Sequence, residues 1–126
     1  LTIREGQTIP IFATAVGIAQ LATRSTEDIQ KLAQRANRRT TRTDERVDID
    51  VLKAEIETAR SNGYVEAYDR VLTDTGAIAM ALPMSQLDRT LVVAVGGLSE
   101  RITTNRTQII QKMRQAVWQL GHSEAS

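Results

Sequence analysis

The chain has 126 residues, 16 basic against 15 acidic side chains, no cysteine and a single histidine. That length supports one domain with a core of its own, and the missing cysteines exclude a disulfide framework and thiolate chemistry. Balanced charge argues against a nucleic-acid binder or an acidic tail, and one histidine, His122, leaves little for metal or acid–base work near neutral pH. The missing cysteines suit a cytosolic protein, no apolar run reaches membrane-spanning length, and no signal peptide is visible. A first residue of Leu rather than Met leads us to expect a piece of a longer protein.

Residues 1–4 (LTIR) read as the tail of a strand, and Glu5-Gly6 as the turn that ends it. Residues 11–22 (IFATAVGIAQLA) form a helical run opening near Thr14, with small residues at Ala13, Ala15, Gly17, Ala19 and Ala22 and no charge before Arg24. Such a helix either lets another backbone come close or leaves room for a small ligand over its start. Thr14 suits the N-cap, so the backbone N–H groups of Ala15, Val16 and Gly17 would attract an anion.

A second helix follows, capped by Ser25 or Thr26, with Glu27 and Asp28 in its first turn and Ile29, Leu32, Ala33 and Ala36 at helical spacing. Residues 37–47 (NRRTTRTDERV) are polar and without a period, so an irregular connection is expected there. The five arginines Arg35, Arg38, Arg39, Arg42 and Arg46 are interrupted by Asp44 and Glu45 and lack interleaved aromatics, which fits a solvated loop better than a phosphate contact. Asp48 caps a third helix with the stripe Ile49, Leu52, Ile56 and Ala59, and Asn62-Gly63 stops it.

From Tyr64 the period shortens. Residues 64–72, 77–84 and 90–97 are strand candidates, with turns around 74–76 and 85–89. Short connections imply antiparallel pairing, and the wholly apolar runs 77–82 and 91–95 predict strands covered on both faces. A last helix is expected from Thr103 or Thr104 to Leu120, with Ile109, Met113, Ala116, Val117 and Leu120 inward and Gly121 ending it. Helices, then a strand meander, then a helix make an α+β fold.

Asp74-Thr75-Gly76-Ala77 matches the catalytic stretch of retroviral-type aspartic proteases, in which two carboxylates share one proton. That chemistry needs a nearly all-β chain, and Asp-Thr-Gly is also an ordinary turn sequence. Gly96-Gly97 lacks the Lys and Ser or Thr of a phosphate loop. Glu55 and Glu57 need only neighbouring basic partners, and Trp118 and Tyr64 suit a core or an interface. No catalytic set and no metal site emerges.

Several short motifs nevertheless stand in a telling order. Gly6 to Pro10 (GQTIP) precedes Thr14-Ala15-Val16-Gly17-Ile18, and Arg60-Ser61-Asn62-Gly63-Tyr64 follows Leu52 and Glu55. Gly76, an apolar strand and Pro83 come next, then a strand ending at Gly96-Gly97, Arg101-Ile102 and a long helix. In this order the chain resembles the effector-binding domain of IclR-family bacterial transcription regulators over nearly its whole length.

The resemblance implies a GAF-like antiparallel sheet flanked by helices over residues 1–126, with the domain's first elements and a winged helix-turn-helix absent from this chain. It implies a small organic acid effector, a homodimer or homotetramer, DNA contact only through the absent domain, and neither enzyme activity nor cofactor nor membrane. Carried over residue by residue, the pocket would use Ala15 and Val16 as donors beside Thr14 and Gly17, with Ile9 as a wall. A family acidic residue falls on Asp69 counted back from Gly76, or on Ala67 counted forward from Gly63-Tyr64; Asp69 keeps the carboxyl group. Sheet positions that carry small polar groups in relatives are Ala79, Ala94 and Gly96, and Ile18 stands where Lys is usual, so a more apolar acid is expected. The alternative is an oligomerisation module without a ligand.

Overall fold

The computed structural model describes residues 11–43, 46–84 and 89–125. The strand tail and turn expected over 1–6, the wall residue Ile9 and the 85–88 part of a turn lie outside them. Local capping sets the helices. α1 (Ala15–Leu21) starts at Thr14, whose hydroxyl accepts from Gly17 N at 3.1 Å. α2 (Thr26–Arg39) starts at Ser25, whose hydroxyl accepts from Asp28 N at 3.1 Å, with Glu27 and Asp28 at its positive end and Arg38 and Arg39 at its negative end. α3 (Ile49–Asn62) starts at Asp48, whose Oδ1 accepts from Asp50 N and Val51 N, and stops at Gly63, which takes φ 82°.

The connection expected to be irregular from Asn37 is still helical to Arg39. Near that end, buried Asn37 ties the helix to the segment before α3: it donates from Nδ2 to Val47 O at 2.9 Å, and its Oδ1 accepts from Val47 N at 2.7 Å. Arg46 adds a bond from Nη1 to Asn37 O at 3.3 Å.

β1 (Val65–Tyr68), β2 (Thr75–Met84) and β3 (Arg89–Leu98) form an antiparallel sheet in sequence order. β1 is shorter than the 64–72 run predicts because Asp69 turns to φ 58° and Asp74 to φ 63°, so the hairpin turns over 69–74 rather than at 74–76. Asp69 N donates to Thr75 O at 2.8 Å and Asp69 Oδ1 accepts from Asp74 N at 2.6 Å. These bonds stabilise a left-handed backbone that aspartate tolerates better than most residues. Asp74 is thus a turn former in a largely helical chain.

Helices cover both faces of the sheet. On one, α1, α2 and α3 bury Ile18, Leu21, Ile29, Leu52 and Ile56 against Val65, Ala67 and Ala79. On the other, Ile78 and Met80 meet Ile102, Ile110 and Met113 of α4 (Ser99–Thr104) and α5 (Arg106–Ala125). The alternation of Ile78 and Met80 with Ala77 and Ala79 explains why the β2 run is apolar throughout. β3 departs from that expectation. It forms an edge of the described sheet, and Ala94, Val95 and Gly96 are exposed.

The last helical stretch begins earlier and ends later than expected. α4 starts at Ser99, Asn105 interrupts the helix at φ −102° and ψ 13°, and α5 passes Gly121 without stopping. Its inward residues are Ile110 and Met113, with Ile109 and Val117 packed beside them, while Leu120 is exposed.

Candidate functional site

The smallness of α1 has two structural causes. Gly17 lies against the main chain of Ile11: a β carbon placed on it would overlap the Ile11 carbonyl oxygen and stand 2.7 Å from its Cα. Only glycine lets residues 11–14 fold back over the helix in this way. Ala15 and Ala19 are each 3% exposed and admit the sheet, and Ile18, at the position where Lys was the expected residue, is fully buried beside them. Val16 is exposed.

Where the small residues of α1 face the small residues of the sheet, the layers do not fill the space between them. A cavity of about 480 Å³ opens there. Thr14, Ala15, Val16, Gly17 and Gln20 form one wall, and Ala67, Ala77, Ala94 and Gly96 form the opposite one. Register explains the second wall, because Ala77 pairs with both Ala67 and Gly96 across the sheet and no side chain larger than methyl rises from that row. The hairpin contributes Arg70, Val71 and Thr75.

Of the residues singled out from sequence, Thr14, Ala15, Val16, Gly17, Ala94 and Gly96 come together around this cavity. Asp69 and Ala79 do not line it. The Asp69 carboxylate holds the hairpin, and Ala79 lies two residues farther along β2, fully buried in the core beneath the helices. Ala67, the other position reached by counting, does line it.

The residue that sequence reasoning missed is Arg70, the one charged side chain in the cavity wall among the described residues. Its Nη1 donates to Ala13 O at 3.0 Å and its Nη2 donates to Glu55 Oε1 at 3.0 Å. Both partners of the ion pair are about one-third exposed, 34% for Arg70 and 29% for Glu55. No spacing in the chain signals this, since the partners stand 57 and 15 positions away. Glu57 does as expected of a surface acid and pairs with Arg60 at 3.2 Å on its own helix.

A second polar cluster sits on the opposite face. Arg106 donates from Nε to both oxygens of Glu66 at 2.9 and 3.0 Å and from Nη2 to the Tyr64 hydroxyl at 2.6 Å. The Tyr68 hydroxyl donates to Glu66 Oε2 at 2.6 Å. Burial raises the Glu66 pKa, but the bonds from Tyr68 and Arg106 outweigh it and hold the carboxyl below its ordinary value. Burial and the Glu66 carboxylate push the Tyr68 hydroxyl up. With the Arg106 and Arg114 guanidinium groups 5.7 and 5.9 Å from the Tyr64 ring centre, this is a clamp between β1 and α5. Trp118, expected in a core or interface, is 62% exposed and stacks on His122 at 3.6 Å. Among the described residues no three His, Asp or Glu side chains stand close enough to hold a metal.

The family model described as "Bacterial transcriptional regulator IclR C-terminal" matches residues 1–122. The effector domain of the transcriptional regulator IclR from Acinetobacter sp. ADP1 superposes with a TM-score of 0.83 at 25% identity, over 96% of this chain and 70% of that one. An IclR-family regulator from Brucella abortus gives 0.79 at 20% identity, over 98% of this chain and 47% of that one. The Agobacterium tumefaciens repressor BlcR gives 0.72 at 16% identity, over 98% and 50%. The chain thus spans about half the length of the latter two proteins, whose likeness concerns the fold. No curated protein sequence matches it.

Proposed function

Because the chain belongs to the family of bacterial IclR-type transcriptional regulators, matching their C-terminal domain, we propose that it senses a small, largely apolar carboxylic acid and passes the change to a separate DNA-binding domain. The observation that carries this reading is the cavity between α1 and the sheet. About 480 Å³ is within the range of small-molecule sites, and its walls are alanines and glycines with few polar groups. Arg70 supplies positive charge, and the first-turn amides of Ala15 and Val16, which a helix leaves without internal partners, supply donors. The apolar sheet wall of Ala77, Ala94 and Gly96 favours an aromatic or longer aliphatic acid over a small hydroxylated one.

The effector acts by differential affinity, since a ligand shifts an assembly only when it binds one arrangement better. The regulator works in the cytoplasm as a homodimer or homotetramer, and the domain itself catalyses nothing. Among the described residues no helix is long and apolar enough to cross a membrane.

Thermal melting against a panel of aliphatic and aromatic acids tests the reading. A ligand at a hundred times its Kd adds about 2.7 kcal/mol, a rise of several degrees. Val16→Trp, at an exposed position on the cavity wall, should abolish the rise while leaving the unliganded Tm within a degree or two. A second reading, an oligomerisation module without ligand, draws on the exposed Trp118 and on Leu98, which is 57% exposed. Flat melting curves across the whole panel would transfer the argument to it.

A further inference from the structure

We propose, resting on the sensing reading above, that Arg70 is the group that selects an acid over its neutral analogue in this cavity, and that Glu55 is an internal carboxylate with which the effector competes for it. Arg70 stands where two surfaces meet. It lines the cavity under α1, and it also lines the adjoining groove between α3 and β1 that contains Glu55. Its guanidinium has five N–H donors. One is given to the Ala13 carbonyl, which immediately precedes the cap of α1, and one to Glu55 Oε1.

That arrangement already contains a carboxylate held by a single oxygen. A planar guanidinium binds carboxylates best through two parallel bonds, and Glu55 makes one such bond from a partly exposed position. An effector acid inside the apolar cavity is less screened than Glu55 and has the same chemistry, so it offers the stronger partner. The other wall-lining groups with polar side chains, Thr14, Gln20 and Thr75, are neutral. Thr14 Oγ1 and Thr75 Oγ1 are engaged with Gly17 N and Leu72 O. Discrimination by charge therefore falls on Arg70.

The exchange has a structural consequence. Glu55 is on α3, Arg70 on the hairpin after β1, and Ala13 at the entry to α1. When an acid takes the guanidinium, the tie between the hairpin and α3 is given up while the cavity is filled beside α1.

The test uses the full-length regulator with two matched probe pairs, hexanoate against hexanamide and phenylacetate against phenylacetamide, measured by calorimetry. The wild type should bind the acids in preference to the amides. Arg70→Gln should weaken acid binding about ten- to a hundredfold and leave the amides unchanged. Glu55→Gln should tighten acid binding about two- to fivefold, by removing the competitor. The Arg70 Nε–H resonance should move with the acids and stay still with the amides.

An Arg70→Gln variant that keeps the acid preference overturns the proposal, as does a Glu55→Gln variant with unchanged or weaker acid binding. If Arg70→Gln does not fold, Glu55→Gln and the Arg70 resonance decide. Acid binding by the wild type with a motionless Arg70 resonance overturns this proposal and leaves the sensing reading standing. Binding of neither acids nor amides, with no movement of the resonance, overturns both.

Discussion

At the scale of single residues, Gly17 carries the most constraint. Replacing it by alanine gains about 1 kcal/mol of helix propensity, which in an unobstructed helix would stabilise. Here the new methyl group meets main chain, with the Ile11 carbonyl carbon 2.6 Å away, and backbone cannot swing aside as a side-chain tip does. Overpacking of this kind costs about 1–3 kcal/mol, so the clash wins. Gly17→Ala should lower Tm by several degrees and weaken any ligand held under α1, which differential scanning calorimetry with and without the acid would show. An unchanged or raised Tm would mean that residues 11–14 do not fold over the helix. Asn37 has a different kind of constraint, since its amide satisfies both polar groups of Val47 and so ties the end of α2 to the segment before α3.

At the scale of elements, the clamp of Glu66, Arg106, Tyr64 and Tyr68 fastens β1 to α5. Its pH dependence follows from the lowered Glu66 pKa. A carboxyl whose folded pKa lies below its unfolded value of about 4.5 adds stability above that value, and this is lost as pH falls through the folded pKa. Glu66→Gln should therefore cost roughly 1 kcal/mol at pH 7, discounted for partial exposure. The gap to wild type should close as pH falls from about 4.5 through the lowered folded pKa, beneath which both proteins carry a neutral group. Urea titrations at pH 7 and at successive steps below about pH 4.5 check this, and a gap that widened in acid would contradict it. The helices owe their limits to nearer causes: Ser25, Asp48 and Gly63 each act within one turn of themselves.

At the scale of the whole molecule, β2 is the member shared by both layers. It pairs with β1 and β3, sends Ala77 and Ala79 toward α1 and Ile78 and Met80 toward α4 and α5. Ile78 is fully buried, so Ile78→Ala should cost about 2–5 kcal/mol. Because one strand joins the layers, the loss should appear as a single weaker transition in urea, followed by circular dichroism. Two separated transitions would show that the layers unfold independently.

The sequence by itself determined the caps Thr14, Asp48 and Gly63, the antiparallel pairing and the α+β class, because each depends on residues a few positions apart. The order of its motifs also pointed to the family. It marked α1 as unusual through its alanines and Gly17, and it named Thr14, Ala15, Val16, Ala94 and Gly96, which register and packing bring to one cavity. Tertiary structure alone decided which small residue admits what: Gly17 the Ile11 main chain, Ala15 the sheet, and the row at Ala67, Ala77 and Gly96 an open space. It also decided that Asp69 turns the hairpin while Arg70 enters the wall. The physical reason is range. A cap or a turn is settled by neighbours in the chain, whereas a cavity is the space left between surfaces that long-range pairing brings together.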